Sequence, residues 1–424
     1  MNARTGSKWR SARVRDAVVF LHRWVGLVMA LFLIIEGLSG SLLAFRWDLA
    51  RWLDPRQVAH APYPGAPQLD LATLIERAEA LGLHAKLRWA LLVRDDEVLF
   101  EMVPRIDPAT KKPYVPEFEY IAMDPWTGRD LVRYETASPK LLGAQVMPFV
   151  YSLHKRLALD ETGEWVLAIV ALAWLVDCFV GVYLTLPAGA KALWRRWKPA
   201  WLIRFRSGAY RLNFDLHRAG SLWLWLVLLV FAVSSVELVD LTGFYNWTAE
   251  RLFGPGPSPV VFPPETGAAI SDWHGAQEAG ERIAEGLTAE RGIHKGRATL
   301  LNGPEDDYPA YQYRVETPRG FPRDQELWFE IDARTGKLLV AHDVNSGNRY
   351  EIVSNWLVSL HMIASPVDYL PYRLFVCLFG VALAVISGTG VYIWWKKRRA
   401  RKIGSQKRST NDRRLAVRLE GAPT

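Results

Sequence analysis

Residues 17–45 read AVVFLHRWVGLVMALFLIIEGLSGSLLAF. Only His22, Arg23 and Glu36 in this stretch are ionisable, and its length exceeds the roughly 20 residues that cross a hydrocarbon core of about 30 Å. It is too long for the apolar region of a signal peptide, and no small-residue cleavage site follows it, so it is expected to remain as an anchor. Three more apolar runs of this kind occupy 165–186, 221–244 and 371–395. Half of the 424 residues are hydrophobic and 19 are Trp, both high for a soluble chain. Mean hydropathy is nonetheless zero, because the apolar residues are gathered into these runs. The sequence predicts an integral membrane protein, mainly α, with four transmembrane helices.

The charges give an orientation. Arg4, Lys8, Arg10, Arg13 and Arg15 precede the first run, a basic cluster from Lys191 to Arg211 joins the second to the third, and Lys396-Lys397-Arg398-Arg399 follows the fourth. These three segments share one side of the membrane, which the positive-inside rule assigns to the cytoplasm. The intervening segments carry more acids than bases and are assigned to the periplasm. The expected layout is a cytoplasmic head with the first span (1–46), an exported domain (47–164), the second span (165–187) and a basic cytoplasmic loop (188–216). The third span (217–245), a second exported domain (246–369), the fourth span (370–396) and a basic cytoplasmic tail (397–424) complete it. The net charge of +8 is thus an orientation signal; with no separate basic domain, no nucleic-acid partner is expected. Both cysteines, Cys178 and Cys377, lie inside spans, and no C-x-x-C-H occurs. This argues against exported disulfides and covalent haem alike.

Landmarks recur in one order. Leu21-His22-Arg23 returns as Leu216-His217-Arg218, 195 residues on. Ser152-Leu153-His154 returns as Ser359-Leu360-His361 after 207, and Gly181-Val182-Tyr183 as Gly390-Val391-Tyr392 after 209. Asp124-Pro125-Trp126-Thr127-Gly128 and Asp332-Ala333-Arg334-Thr335-Gly336 are 208 apart. A duplicated unit of span, exported domain and span is therefore expected, its halves related by an axis along the membrane normal. Each exported segment reads as a small α+β domain. Helical spacing at Leu71, Leu74, Ile75 and Ala78, and at Ile270, Trp273, Ala276, Ile283 and Leu287, precedes alternating runs such as 311–315 and 327–331. Asp-x-x-Thr-Gly fits a hairpin turn with Gly at positive φ, and 254–264 reads as a linker.

Nine histidines are present. His60, His84, His274, His294 and His342 have no repeated context and read as surface or core residues. His22, His154, His217 and His361 lie at span ends in a two-by-two pattern, and ionisable groups in that setting are usually functional. Interfacial snorkelling is the bland alternative. Neutral imidazole is an axial ligand for haem iron, and haem suits a crevice between helices. His22 with His217 near the cytoplasmic face, and His154 with His361 near the outer face, give two bis-histidine sites stacked across the bilayer. Two ligands per level fit zinc poorly. Copper stays open, without a Met or Cys cluster beside the histidines. Gly26, Gly37, Gly40, Gly380, Gly388 and Gly390 offer room for a macrocycle or serve helix packing. Arg23, Lys155 and Arg218 directly follow three of the histidines, and Met362 follows His361. The acids Glu36, Asp177, Glu237 and Asp240 are unassigned, with proton movement, histidine hydrogen bonding or a wet interface as their alternatives. His154 and His361 stand ten or so residues before their spans, so 141–159 and 352–363 are expected to dip into the membrane or cap the bundle.

Taken together, the Leu-His-Arg, Ser-Leu-His and exported Asp-x-x-Thr-Gly elements resemble the PepSY-associated transmembrane family of bacterial iron-regulated inner-membrane proteins, over about residues 14–398. The resemblance implies two periplasmic PepSY folds and b-type haem, two per chain, on the four membrane histidines. It further implies reduction of a periplasmic ferric siderophore, making the chain an oxidoreductase. No G-x-G-x-x-G follows a strand, so the expected donor is a quinol or a separate cytoplasmic reductase. The alternatives are an electron conduit to another periplasmic acceptor and a non-enzymatic scaffold that binds peptides or a partner; a substrate permease fits poorly.

Overall fold

The computed structural model describes residues 3–82, 84–134, 145–187, 192–256, 270, 272–304, 308–317, 326–342, 348–363 and 370–420. In chain order come helices α1 (Ala3–Leu43), α2 (Arg46–Leu53) and α3 (Leu71–Leu81), then strands β1 (Ala85–Arg94), β2 (Glu97–Pro104), β3 (Tyr120–Met123) and β4 (Asp130–Tyr134). Next are α4 (Val146–Arg156), α5 (Asp160–Thr185), α6 (Leu193–Trp197), α7 (Ala209–Asp215), α8 (Ser221–Trp223), α9 (Trp225–Leu238), α10 (Phe244–Phe253) and α11 (Trp273–Glu290). Strands β5 (Ala298–Asn302), β6 (Ala310–Glu316), β7 (Glu326–Asp332) and β8 (Leu338–His342) follow, then α12 (Arg349–Met362) and α13 (Leu370–Glu420). The chain divides into two units, which are described in turn.

The first unit comprises Met1–Ser41, Trp165–Val239 and Val376–Thr424. Three helical stretches, Arg13–Leu43, Asp160–Thr185 and Leu370–Ile403, are long and apolar enough to cross a membrane. The fourth expected span is not one straight helix. Its halves, Ala209–Trp223 and Trp225–Leu238, meet at 70°, and a π-helical turn at Leu216–Gly220 separates α7 from α8. Val28 and Leu31 on α1, Ile169 and Val176 on α5, and Leu378 on α13 are exposed, as lipid-facing side chains are. Where α1 meets α13 the contact is glycine on glycine. A Cβ on Gly37 would stand 2.5 Å from the carbonyl oxygen of Gly380, and Ser41 donates to the Cys377 carbonyl at 2.8 Å. Small residues one turn apart let two backbones approach where lipid offers no hydrophobic drive to pack. Arg15 donates to the carbonyls of Leu184 and Leu186, closing the C-terminal end of α5.

The second unit comprises Leu42–Glu164 and Asp240–Phe375. Its eight strands form one antiparallel sheet in the order β4-β3-β2-β1-β5-β6-β7-β8. A helix followed by four strands occurs twice, but the two sets do not make separate sheets. They join through β1 and β5, with Trp89, Ala90 and Leu91 opposite Asn302, Leu301 and Leu300. Asp70 and Asp272 cap α3 and α11, accepting from the backbone N–H of Thr73 and Gly275. Those two helices cover one face of the sheet. There Leu74, Ile75 and Ala279 pack on Phe100, Tyr313 and Phe329 in a core shared by both sets, each large apolar side chain contributing about 1.5–3 kcal/mol. Strand alternation turns Trp89, Leu91 and Leu99 to the opposite face, where Trp47 of α2 packs; α2 in turn packs on α4 through Ala50, Met147 and Val150. Both Asp-x-x-Thr-Gly segments are hairpin turns. Gly128 and Gly336 take φ of +66° and +65°, and their N–H groups donate to the Asp124 and Asp332 carbonyls at 2.8 Å. Most of the linker expected at 254–264 lies outside the described residues.

Candidate functional site

His22 on α1 and His217 in the π-helical turn face each other, with ring centres 6.1 Å apart and planes inclined at 48°. His22 Nδ1 is 2.7 Å from Asp177 Oδ1 on α5, and His217 Nδ1 is 3.0 Å from the Ile386 carbonyl oxygen on α13. Neither a carboxylate nor a carbonyl can donate, so Nδ1 of each ring carries the proton. A hydrogen bond at the far nitrogen is the support that orients ligating imidazoles.

The two anchors occupy matching places. Asp177 is four residues before Gly181, and Ile386 four before Gly390, the glycines of the two Gly-Val-Tyr segments. One helical turn separates anchor from glycine, so both point to the same helix face. At Gly390 the missing side chain lets His217 reach the backbone of α13, since a Cβ there would lie 3.1 Å from His217 Cε1. At Gly26 and Gly181 a Cβ would meet open space. That space belongs to a cavity of about 700 Å³ that both histidines line. Its walls are largely apolar, with Leu33, Trp174, Leu222 and Ile393 among them, while Arg23, Arg218, Lys397 and Arg401 also line it.

The second pair, in the other unit, joins His154 on α4 to His361 on α12, with ring centres 6.3 Å apart and planes at 54°. Each stands in the last turn of its helix. The chain then turns sharply, with Leu157 and Ile363 at φ of +54° and +51°. Such values are costly for a branched side chain and persist where surrounding structure imposes them. Burial, and then the neighbouring His154, push the His361 pKa well below its ordinary value, which keeps that imidazole neutral.

Would these residues hold a haem? Two imidazoles on opposite faces of one iron, at a metal–nitrogen distance of about 2.0–2.1 Å, have ring centres roughly 6.4–6.6 Å apart once about 1.2 Å of ring is added on each side. Both pairs stand within about half an ångström of that span. The first also has an apolar cavity in the 300–1,000 Å³ range of ligand sites, and cations suited to carboxylate substituents. Among the described residues no three His, Cys, Asp or Glu side chains converge, whereas zinc takes three or four. The donor set fits haem.

Of the remaining histidines, His84 packs on Tyr114 and His274 stands 3.7 Å from Asp70 and 3.5 Å from Glu76. Arg23 and Arg218 line the first cavity; Lys155 lines a different one, in the sheet unit. Sequence reasoning left Asp177 unassigned and passed over Ile386. Their shared offset from Gly181 and Gly390 was the signal that finds them.

Long apolar helices together with an antiparallel sheet unit define a membrane protein. The chain belongs to the PepSY-associated TM region family, whose model matches residues 19–397. No curated protein matches it.

Proposed function

We propose that the protein is a haem-containing inner-membrane reductase that carries electrons across the bilayer to a periplasmic ferric siderophore, and that its two halves arose by duplication. The observation that carries this reading is the imidazole spacing: both pairs stand close to the separation one iron requires, and the first lines a cavity with each Nδ1 hydrogen-bonded from behind. His22 and His217 would hold one haem and His154 and His361 the other. Each haem supplies reversible one-electron chemistry at its iron; the chain supplies ligands and position.

The basic head, loop and tail support a cytoplasmic position for both termini and a periplasmic one for the sheet unit. By the order of the spans, His22 and His217 stand near the cytoplasmic side and His154 and His361 near the outer side. A quinol or a separate cytoplasmic reductase would be the donor on the His22 and His217 side. The substrate step is a one-electron reduction of chelated Fe(III) to Fe(II), which hard oxygen donors hold less tightly. Asp177 and the Ile386 carbonyl would hold the two inner imidazoles in place from behind, through Nδ1.

The test uses the haem-loaded protein in nanodiscs, reduced by a quinol analogue under argon. Addition of a ferric siderophore should reoxidise the haem bands while a ferrous-specific colour reagent registers one Fe(II) per electron lost. Bands that stay reduced with every ferric chelate would remove the reductase reading. Reoxidation by another acceptor alone would favour the conduit, and a colourless protein the peptide- or partner-binding scaffold.

A further inference from the structure

The sheet unit holds a second cavity, of about 610 Å³, on the face of the sheet that α3 and α11 leave uncovered. Helices α2 and α4 and the strand positions that alternate away from the core build its walls. Its character is unlike that of the histidine cavity. Arg46, Arg88, Lys155 and Arg156 line it against a single acid, Glu101, so its charged side chains sum to about +3 at neutral pH. Aromatic side chains stand among them: Trp47, Trp89, Tyr120 and Tyr151. Arg46 lies over the Trp47 ring at 3.9 Å and the Tyr151 ring at 5.1 Å.

Two polar atoms mark it as a built site. Gln57 also lines the cavity. It is only 2% exposed, and its Nε2 has no hydrogen-bond partner among the described residues. Asn302 Oδ1, on another wall, is buried and likewise unpartnered. A buried amide left unsatisfied costs about 1–3 kcal/mol, and a ligand acceptor oxygen against Gln57 would recover that. Cations, ring faces and a buried donor together recognise a planar aromatic group bearing negative oxygens.

We infer that this cavity binds an anionic ligand with aromatic oxygen donors, of the catecholate-chelate class. Resting on the reductase reading, the ligand is the electron acceptor itself, and the cavity selects charged aryl chelates over neutral hydroxamate ones. Its position suits that role. Along α4, Met147, Tyr151 and Lys155 line the cavity at four-residue spacing, and His154 directly precedes Lys155. One short helix therefore carries both a wall of the cavity and a histidine of the outer pair.

The experiment separates docking from redox chemistry by using gallium(III), which accepts no electron here. Full-length protein in nanodiscs is titrated calorimetrically with gallium tris-catecholate and, separately, with a neutral gallium trihydroxamate. The inference expects the tris-catecholate to bind at least tenfold more tightly, and Arg88→Ala and Gln57→Glu each to weaken it tenfold or more. Arg88 is about half exposed, so its replacement is not a folding variant, and unchanged absorption spectra in both variants would show the histidine pairs intact. Equal affinity for the two complexes, or full affinity in both variants, would overturn it. Selective binding by a protein that holds no haem would leave the docking site standing and remove the reductase reading alone.

Discussion

The two histidine pairs have nearly the same ring separation, 6.1 and 6.3 Å, but reach it differently. In the membrane unit His22 and His217 are held from behind, through Nδ1, by Asp177 and by the Ile386 carbonyl. Each sits within a helical stretch, and Gly390 lets one of them press against α13. In the sheet unit His154 and His361 stand at helix ends, and the left-handed residues Leu157 and Ile363 fix where those ends stop. Hydrogen bonds across helices hold the first pair, and the second is carried on two helix ends. Substitution of Asp177 should therefore be felt at the first pair.

The largest effect belongs to the four histidines themselves. His22→Ala or His217→Ala should remove one haem, and His154→Ala or His361→Ala the other, each variant keeping about half of the haem found by pyridine haemochrome assay. Loss of both haems from a single variant, or full haem retained in one, would break the pairing. Next comes Asp177→Asn, which keeps the shape and an accepting oxygen but removes the charge behind His22. Loss of such a partner typically costs 10–100-fold in affinity, so haem transfer to an apo-acceptor protein should quicken by that order at the first level alone. A smaller change follows from Gly390→Ala. The new Cβ must displace the His217 ring by a few tenths of an ångström, and electron paramagnetic resonance should register an altered ligand geometry with a several-fold weaker site. An unchanged spectrum would mean that the α13 contact does not position His217.

The smallest effect lies away from both pairs and sharpens the contrast between the units. Glu97 on β2 is 1% exposed, and its Oε2 has no hydrogen-bond partner among the described residues. Burial pushes its carboxyl from an ordinary 4.5 up to about 7. The folded state then keeps a proton that the unfolded chain releases, so the penalty is absent below pH 4.5 and complete above about pH 7. It amounts to roughly 3 kcal/mol. Thermal midpoints of the wild type should fall by several degrees between pH 5 and 7.5 relative to Glu97→Gln; parallel profiles would contradict this placement of Glu97.

Much of this was legible in the residues. The apolar lengths mark the spans, the spacing of Leu71, Leu74, Ile75 and Ala78 marks α3 with its bounds, and the Gly of Asp-x-x-Thr-Gly marks both hairpins. The repeated Leu-His-Arg and Ser-Leu-His segments pointed to which histidines stand together. Other features leave little trace. Strands β1 and β5 join by backbone hydrogen bonds between segments some two hundred residues apart, and any alternating strand can pair so. The 70° bend at Leu224 falls in a run without Pro, where turn chemistry gives no warning. Asp177 stood out as the one acid of the apolar run 165–186, but its bond to His22 depends on how α1 and α5 are rotated, which periodicity does not specify.

The central claim is that each histidine pair holds one haem, and absorption spectroscopy tests it most directly. Protein purified in detergent from haem-replete cells should be red, with the sharp reduced bands of low-spin b-type haem on dithionite addition. His22→Ala and His154→Ala should each abolish a separate half of that signal. A colourless preparation, or one whose colour survives both substitutions, would contradict the account.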